Sequence, residues 1–152
     1  MGKMRDGQQF AVRCAAEADI PLIEGWHRRY PNAESLAVNW PTTLKVFRAK
    51  GMLVLEDLAL SETIAYFWGS LATGESVLEV RYDYRRKGAG AYLVKHLVQQ
   101  ALSARQTNLL VECSPLSSQF FWRQMGFSVT VEEGKWIGRR SLFVPSSGAQ
   151  SL

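Results

Sequence analysis

The chain has 152 residues, 47% hydrophobic and 21% charged, the proportions of an ordinary globular domain. These values exclude a repeat array, a collagen-like fibre, a multidomain machine and a mostly disordered chain, and no apolar run approaches the roughly 18–20 residues that span a bilayer. Eighteen basic against fourteen acidic side chains give a net charge of +4, a weak lean toward an anionic partner, since Lys and Arg also keep ordinary surfaces soluble.

The polar start, MGKMRDGQQFAV, lacks the long apolar stretch of a secretory signal, and Asp6 stands where a myristoylation signal needs Ser or Thr. Two cysteines, Cys14 and Cys113, are too few for a disulfide framework and read as reduced thiols of a cytoplasmic protein. One domain is expected over 1–152, its core spanning about 10–144 and a flexible tail following from Pro145.

In chain order, Phe10 to Val12 reads as a short strand. Ala15 to Tyr30 reads as a helix starting near Ala18 or Asp19, with Ile20, Ile23 and Trp26 on one stripe. Residues 31–41, with two prolines and two asparagines, predict a loop, and Thr42 to Arg48 a short helix capped by Thr42 or Thr43. Met52 to Glu56 and Ile64 to Leu71 predict strands on either side of a turn at Leu60-Ser61-Glu62. Ala72-Thr73-Gly74 predicts a second turn. Ser76 to Tyr84 alternates, with Leu78, Val80 and Tyr82 on one face and Glu79, Arg81 and Asp83 on the other, and predicts one long strand.

After Arg85-Arg86-Lys87-Gly88-Ala89-Gly90 the period becomes helical, with Leu93, Leu97 and Gln100 on one side beside Val94, Val98 and Ala101. Thr107 to Cys113 predicts a strand covered on both faces. Leu116 to Met125 predicts a helix opened by Pro115, capped by Ser114 and stopped by Gly126. Phe127 to Val131 and Trp136 to Val144 predict a closing pair of strands turning at Glu132-Glu133-Gly134. The order β-α-(α)-β-β-β-α-β-α-β-β points to an α/β (α+β) domain, a mixed sheet with helices on both faces.

The junction after Tyr84 carries the most chemistry. A strand feeds a basic turn that opens into a helix, and the unpaired N–H groups of a first helical turn favour an anion. Gly88 and Gly90 let a phosphate approach the backbone, and Arg85, Arg86 and Lys87 bring cations to the same spot. The same residues also suit a plain basic turn with helix-cap glycines. A dinucleotide fingerprint is excluded by Leu93 where a third glycine would stand, and no Walker sequence is present. The long basic stripe or recognition module of a nucleic-acid binder is also missing.

Arg85-Arg86-Lys87-Gly88-Ala89-Gly90 matches [QR]-x-x-G-x-[GA], and Leu78-x-Val80-x-x-x-Tyr84 precedes it. Further on stands Ser118-x-x-Phe121-Trp122-Arg123-Gln124-Met125-Gly126-Phe127. The first motif and its strand resemble the signature of the GNAT (general control non-repressible-related) N-acetyltransferase family. The downstream run resembles that family's A-x-x-L-Y-x-x-x-G-F helix, and the element order agrees with its fold.

The resemblance implies a mostly antiparallel sheet splayed between strands four and five and an acetyl-CoA (coenzyme A) site. The backbone of Arg86 to Gly90 and Ala91, with Arg85, would hold the pyrophosphate, and Leu78, Glu79 and Val80 would pair with the pantetheine arm. It also implies a soluble enzyme acting on an amine acceptor, on a protein or a small molecule, without a membrane, and leaves a homodimer open. Tyr82 replaces a common proline of the family and Ser114-Pro115 a frequent asparagine. Trp122 replaces the tyrosine that would protonate the leaving thiolate.

Acyl transfer to an amine needs a proton acceptor, an oxyanion donor and an exit for the thiolate. Glu79 and Glu75 are the candidate bases, with Asp83 and Glu112 behind them; surface glutamates of a strand are the bland alternative. An N–H near Val80 is the candidate oxyanion donor. An indole cannot give up its proton at neutral pH, so beside Trp122 the candidates for protonating the thiolate are water, Tyr84, Tyr92, Ser114, Ser117 and Cys113. Cys113 and the histidines, His27 and His96, read more simply as structural. Trp26, His27, Arg28, Arg29, Tyr30, Trp40, Trp136, Arg139 and Arg140 are candidates for the acceptor surface. The rival readings are a non-catalytic acyl-CoA-binding or protein-interaction module on the same fold, and a nucleic-acid binder.

Overall fold

The computed structural model describes residues 9–31 and 34–142. The predicted N-terminal features, the tail from Pro145 and the end of the last strand at Val144 lie outside them. Among the described residues the elements run β1 (Phe10–Cys14), α1 (Asp19–Arg29), α2 (Glu34–Arg48), β2 (Met52–Asp57), β3 (Glu62–Gly69), β4 (Ser76–Val80), α3 (Ala89–Ser103), β5 (Asn108–Glu112), α4 (Gln119–Gln124), β6 (Ser128–Glu132) and β7 (Lys135–Ser141). This is the expected order. All ladders are antiparallel and form two sheets, β1-β2-β3-β4 and β5-β7-β6, so the strands are interrupted after the fourth. Among the described residues no helix is long and apolar enough to cross a membrane.

The described residues cluster as two compact units, one reaching Gly69 and resuming at Ser76–Val94, the other holding Ser70–Glu75 and the chain from Lys95 on. In the first, α1 packs on β3, and α2 on β2 and β4. Ile23 and Trp26 of α1, Met52 and Val54 of β2 and Tyr66 of β3 form its buried cluster, with Trp40, Phe47, Trp68 and Val77 packed against it. β1 is pinned to α1 by an ion pair. Arg13 donates to Asp19 at 2.8 and 3.0 Å and to Glu56 at 2.9 Å, while the Thr63 hydroxyl and the Ala16 N–H also donate to Asp19. Burial would raise the Asp19 pKa, but the Arg13 and Thr63 hydrogen bonds outweigh it and hold the carboxyl below its usual range.

In the second unit, α4 packs on β6 and β7. Trp122 meets Phe121 and Phe127 edge-on at 5.0 and 5.2 Å. Gly126, with φ +91°, ends α4 in the left-handed conformation a helix stop requires.

Four features differ from expectation. α2 begins at Glu34, with exposed Pro41 inside it; one proline removes one rung, and the surrounding turns carry the helix through. Thr43 is therefore no cap: it is buried, donates to the Asn39 carbonyl at 2.9 Å and accepts from the Trp68 indole at 2.9 Å. β4 stops at Val80, and Tyr82–Tyr84 form a 3-10 turn. β5 stands at the end of its sheet's order rather than in the middle, with Leu109 and Val111 buried on one face and Leu110 half-buried on the other. Before α4 the chain makes a 3-10 turn at Leu116–Ser118 whose N-cap is Pro115 without a side-chain cap bond, so Ser114 does not cap it.

Candidate active site

Glu79 is the central residue. It lies on β4 directly opposite Tyr66 of β3, and Val77, two residues earlier on the same face, packs against the aromatic cluster. The face of β4 that carries the glutamate is thus the one turned to the core, and Glu79 is 5% exposed. For Glu79 this overturns the surface-glutamate alternative, which exposed Glu75 keeps. A carboxylate in such a place needs a partner, and Arg85 supplies one: its Nη2 donates to Glu79 Oε2 at 3.2 Å and its Nε to the Val80 carbonyl at 3.4 Å. Arg85 is itself 42% exposed and lies over the ring of Tyr82 at 5.0 Å, with Tyr82 against Tyr30 at 5.4 Å.

The turn between β4 and α3 is braced from behind. Arg81 is buried, donates to Asp83 at 2.6 and 3.2 Å and to Glu62 at 3.0 Å, and faces the Tyr84 ring. The Tyr84 hydroxyl donates to Asp57 at 2.6 Å; burial, with Asp57, pushes its pKa up to about 12. Burial opposes the Asp83 charge, yet Arg81 holds that carboxyl below its usual range, so Asp83 serves the brace.

From this support the chain enters Arg86 and Gly88 with φ +65° and +87°. A Cβ on Gly88 would meet nothing within 4 Å, so the backbone there faces open space. The first bond of α3 runs from the Tyr92 N–H to the Gly88 carbonyl, leaving the N–H groups of Ala89, Gly90 and Ala91 without partners inside the helix. Arg86 and Lys87 are exposed beside them. A left-handed turn, free first-turn N–H groups and surrounding cations fit a pyrophosphate.

Of the remaining candidates in this unit, Tyr92 donates its hydroxyl to the Phe10 carbonyl at 3.2 Å, a structural engagement like that of Tyr84. Trp26, Trp40 and Tyr66 gather in one aromatic cluster, and His27 lies edge-on to Trp40 at 5.4 Å. Burial lowers the His27 pKa. Arg28 and Arg29 are exposed, and Arg29 lies over Tyr30. Tyr66 was not among the sequence candidates. Its signal is the β3–β4 register, which a single strand's alternation does not contain.

The second unit holds the other candidates. Glu75 is exposed in the turn after β3, where its carbonyl accepts from Ser70. Trp122 is buried among phenylalanines, Ser114, Ser117 and Glu112 are exposed, and His96 is half-buried on α3. Cys113 is buried, which pushes its thiol pKa up, as a structural cysteine requires. On β7, Trp136 is exposed, Arg139 pairs with Glu132 and Arg140 donates to the Met125 carbonyl.

No protein-family model matches the sequence, and no curated protein matches it. Solved structures do. The ribosomal-protein-S18-alanine N-acetyltransferase of Escherichia coli superposes with a TM-score of 0.60 at 16% identity, over 91% of this chain and 97% of that one. A GNAT-family acetyltransferase of Listeria monocytogenes gives 0.62 at 12%, over 88% and 95%. N-acetylglutamate synthase of Neisseria gonorrhoeae, solved with coenzyme A and N-acetyl-glutamate, gives 0.60 at 15%, over 89% of this chain and 35% of that one. At these identities the likeness is one of architecture: the chain has the fold of the GNAT acetyltransferases.

Proposed function

We propose that the protein is an N-acetyltransferase that passes an acetyl group from acetyl-CoA directly to a primary amine of a protein or small molecule. The observation that carries this reading is a buried carboxylate, Glu79, six residues before an open, cation-rimmed strand-to-helix turn, on a fold shared with acetyltransferases. Arg85 and the backbone of Arg86 to Ala91 would hold the pyrophosphate, and Leu78, Glu79 and Val80 the pantetheine arm. Bound acetyl-CoA supplies the activated thioester.

Glu79 takes a proton from the acceptor ammonium, turning it into a nucleophile. An N–H near Val80 donates to the developing oxyanion. An indole gives up no proton at neutral pH, so water protonates the leaving thiolate. Glu75 is the second candidate base; its exposure makes it the weaker one. A carboxylate excluded from water beside aromatic rings favours catalysis over the alternative, a non-catalytic acyl-CoA-binding module. The test is thiol release from acetyl-CoA across a panel of amines and peptide N-termini. Release that depends on an amine supports the enzyme; tight coenzyme A binding without release under any amine favours the module.

A further inference from the structure

One guanidinium serves two sites. Arg85 precedes the anion-binding turn in sequence, yet its side chain folds back onto β4, bonding the Glu79 carboxylate at 3.2 Å and the Val80 carbonyl at 3.4 Å. Both acceptors lie in the segment proposed above for the cofactor arm. The attachment is light: one contact to the carboxylate, an Arg side chain 42% exposed, and the face of Tyr82 beneath it at 5.0 Å. An arginine has five donors and binds phosphate oxygens in a bidentate fork, so the charge of a pyrophosphate on the adjacent turn competes with Glu79 for it.

We propose that Arg85 is an exchangeable counter-ion that pairs with Glu79 before the cofactor binds and passes to the cofactor pyrophosphate on binding, withdrawing its positive charge from the carboxylate that meets the acceptor amine. This rests on the acyltransferase reading and adds an order to it, cofactor before acceptor. Arg85 is a positioning residue: it acts through Glu79 and through the anion.

The test is a double-mutant cycle on coenzyme A affinity, measured by calorimetric titration, with thermal melts confirming that each variant is folded. Glu79→Gln removes the competing carboxylate and is expected to tighten coenzyme A by about three- to tenfold. Arg85→Gln is expected to weaken it about tenfold. In the Arg85→Gln background, the Glu79→Gln effect shrinks to within about twofold. Arg85→Lys keeps a cation that either anion can hold, and restores the tightening. An equal Glu79→Gln effect with and without Arg85 overturns the exchange, because the glutamate then acts only through long-range charge. No effect of Glu79→Gln beside an intact Arg85 overturns it as well, leaving a purely structural pair. Absence of coenzyme A binding by the wild-type protein overturns the acyltransferase reading and the exchange together. Normal binding without coupling overturns the exchange alone.

Discussion

Arg13–Asp19 and Arg85–Glu79 are the same chemical pair, gripped by the arginine in two different ways. Asp19 accepts from Arg13 at two points and from Thr63 and Ala16, while Arg13 also reaches Glu56. Glu79 accepts from an Arg85 that makes one contact to it, and the two arginines are similarly exposed, at 37% and 42%. Both carboxylates are buried, at 2% and 5% exposure, so burial alone does not separate a structural ion from a working one. What separates them is the arginine's hold: Arg13 forks onto Asp19 through two nitrogens and reaches Glu56 through a third, whereas Arg85 reaches Glu79 through one, so the second pair can part at far lower cost than the first.

The largest effect is expected at the lightly held pair. Glu79→Gln should lower kcat by about 10²–10⁴-fold without raising the constant for acetyl-CoA, measured in steady-state kinetics. An unchanged acidic limb of the pH–rate profile would move the base to Glu75 or water. At the forked pair the same exchange should leave the chemistry and strike the fold: Asp19→Asn is expected to cost about 2–4 kcal/mol in urea unfolding. The sign follows from the depressed folded pKa. The stabilisation is full above the unfolded value near about 4, disappears as pH falls through the lower folded value, and is absent from the variant throughout.

Tyr84→Phe, which leaves buried Asp57 without its 2.6 Å donor, is expected to cost about 1–3 kcal/mol by the same measurement. The smallest effect is at Arg139–Glu132. This pair has the shortest geometry of the three, 2.6 and 2.8 Å, but an Arg side chain 60% exposed. Arg139→Ala should leave the melting temperature unmoved, because water replaces the pair.

The element order and the strand-to-helix turn were legible in sequence, because apolar period and glycine placement are local signals. The site's electrostatics were not. Alternation from Ser76 to Tyr84 reads as one strand with its apolar residues on one face; the real β4 stops at Val80, and its core-facing side carries Val77 and Glu79. Arg81 and Tyr84 turn inward to Glu62 and Asp57, partners 19 and 27 residues away that no local pattern announces. Pro41 and its asparagine neighbours disguised α2, whose position follows from Thr43 and Trp68 meeting across tertiary space. The Arg85–Glu79 contact likewise depends on the chain folding back through the 3-10 turn.

Whether the turn after β4 is a cofactor phosphate site is decided by coenzyme A titration of the wild-type protein beside Gly88→Glu. Gly88 opens on empty space with φ +87°, so a glutamate there would strain the turn and set a negative charge in the phosphate's path. Wild-type affinity of about micromolar strength, abolished by this substitution in a protein that still melts cooperatively, is the predicted result. Binding that survives Gly88→Glu unchanged, or no binding by the folded wild-type chain, would contradict it.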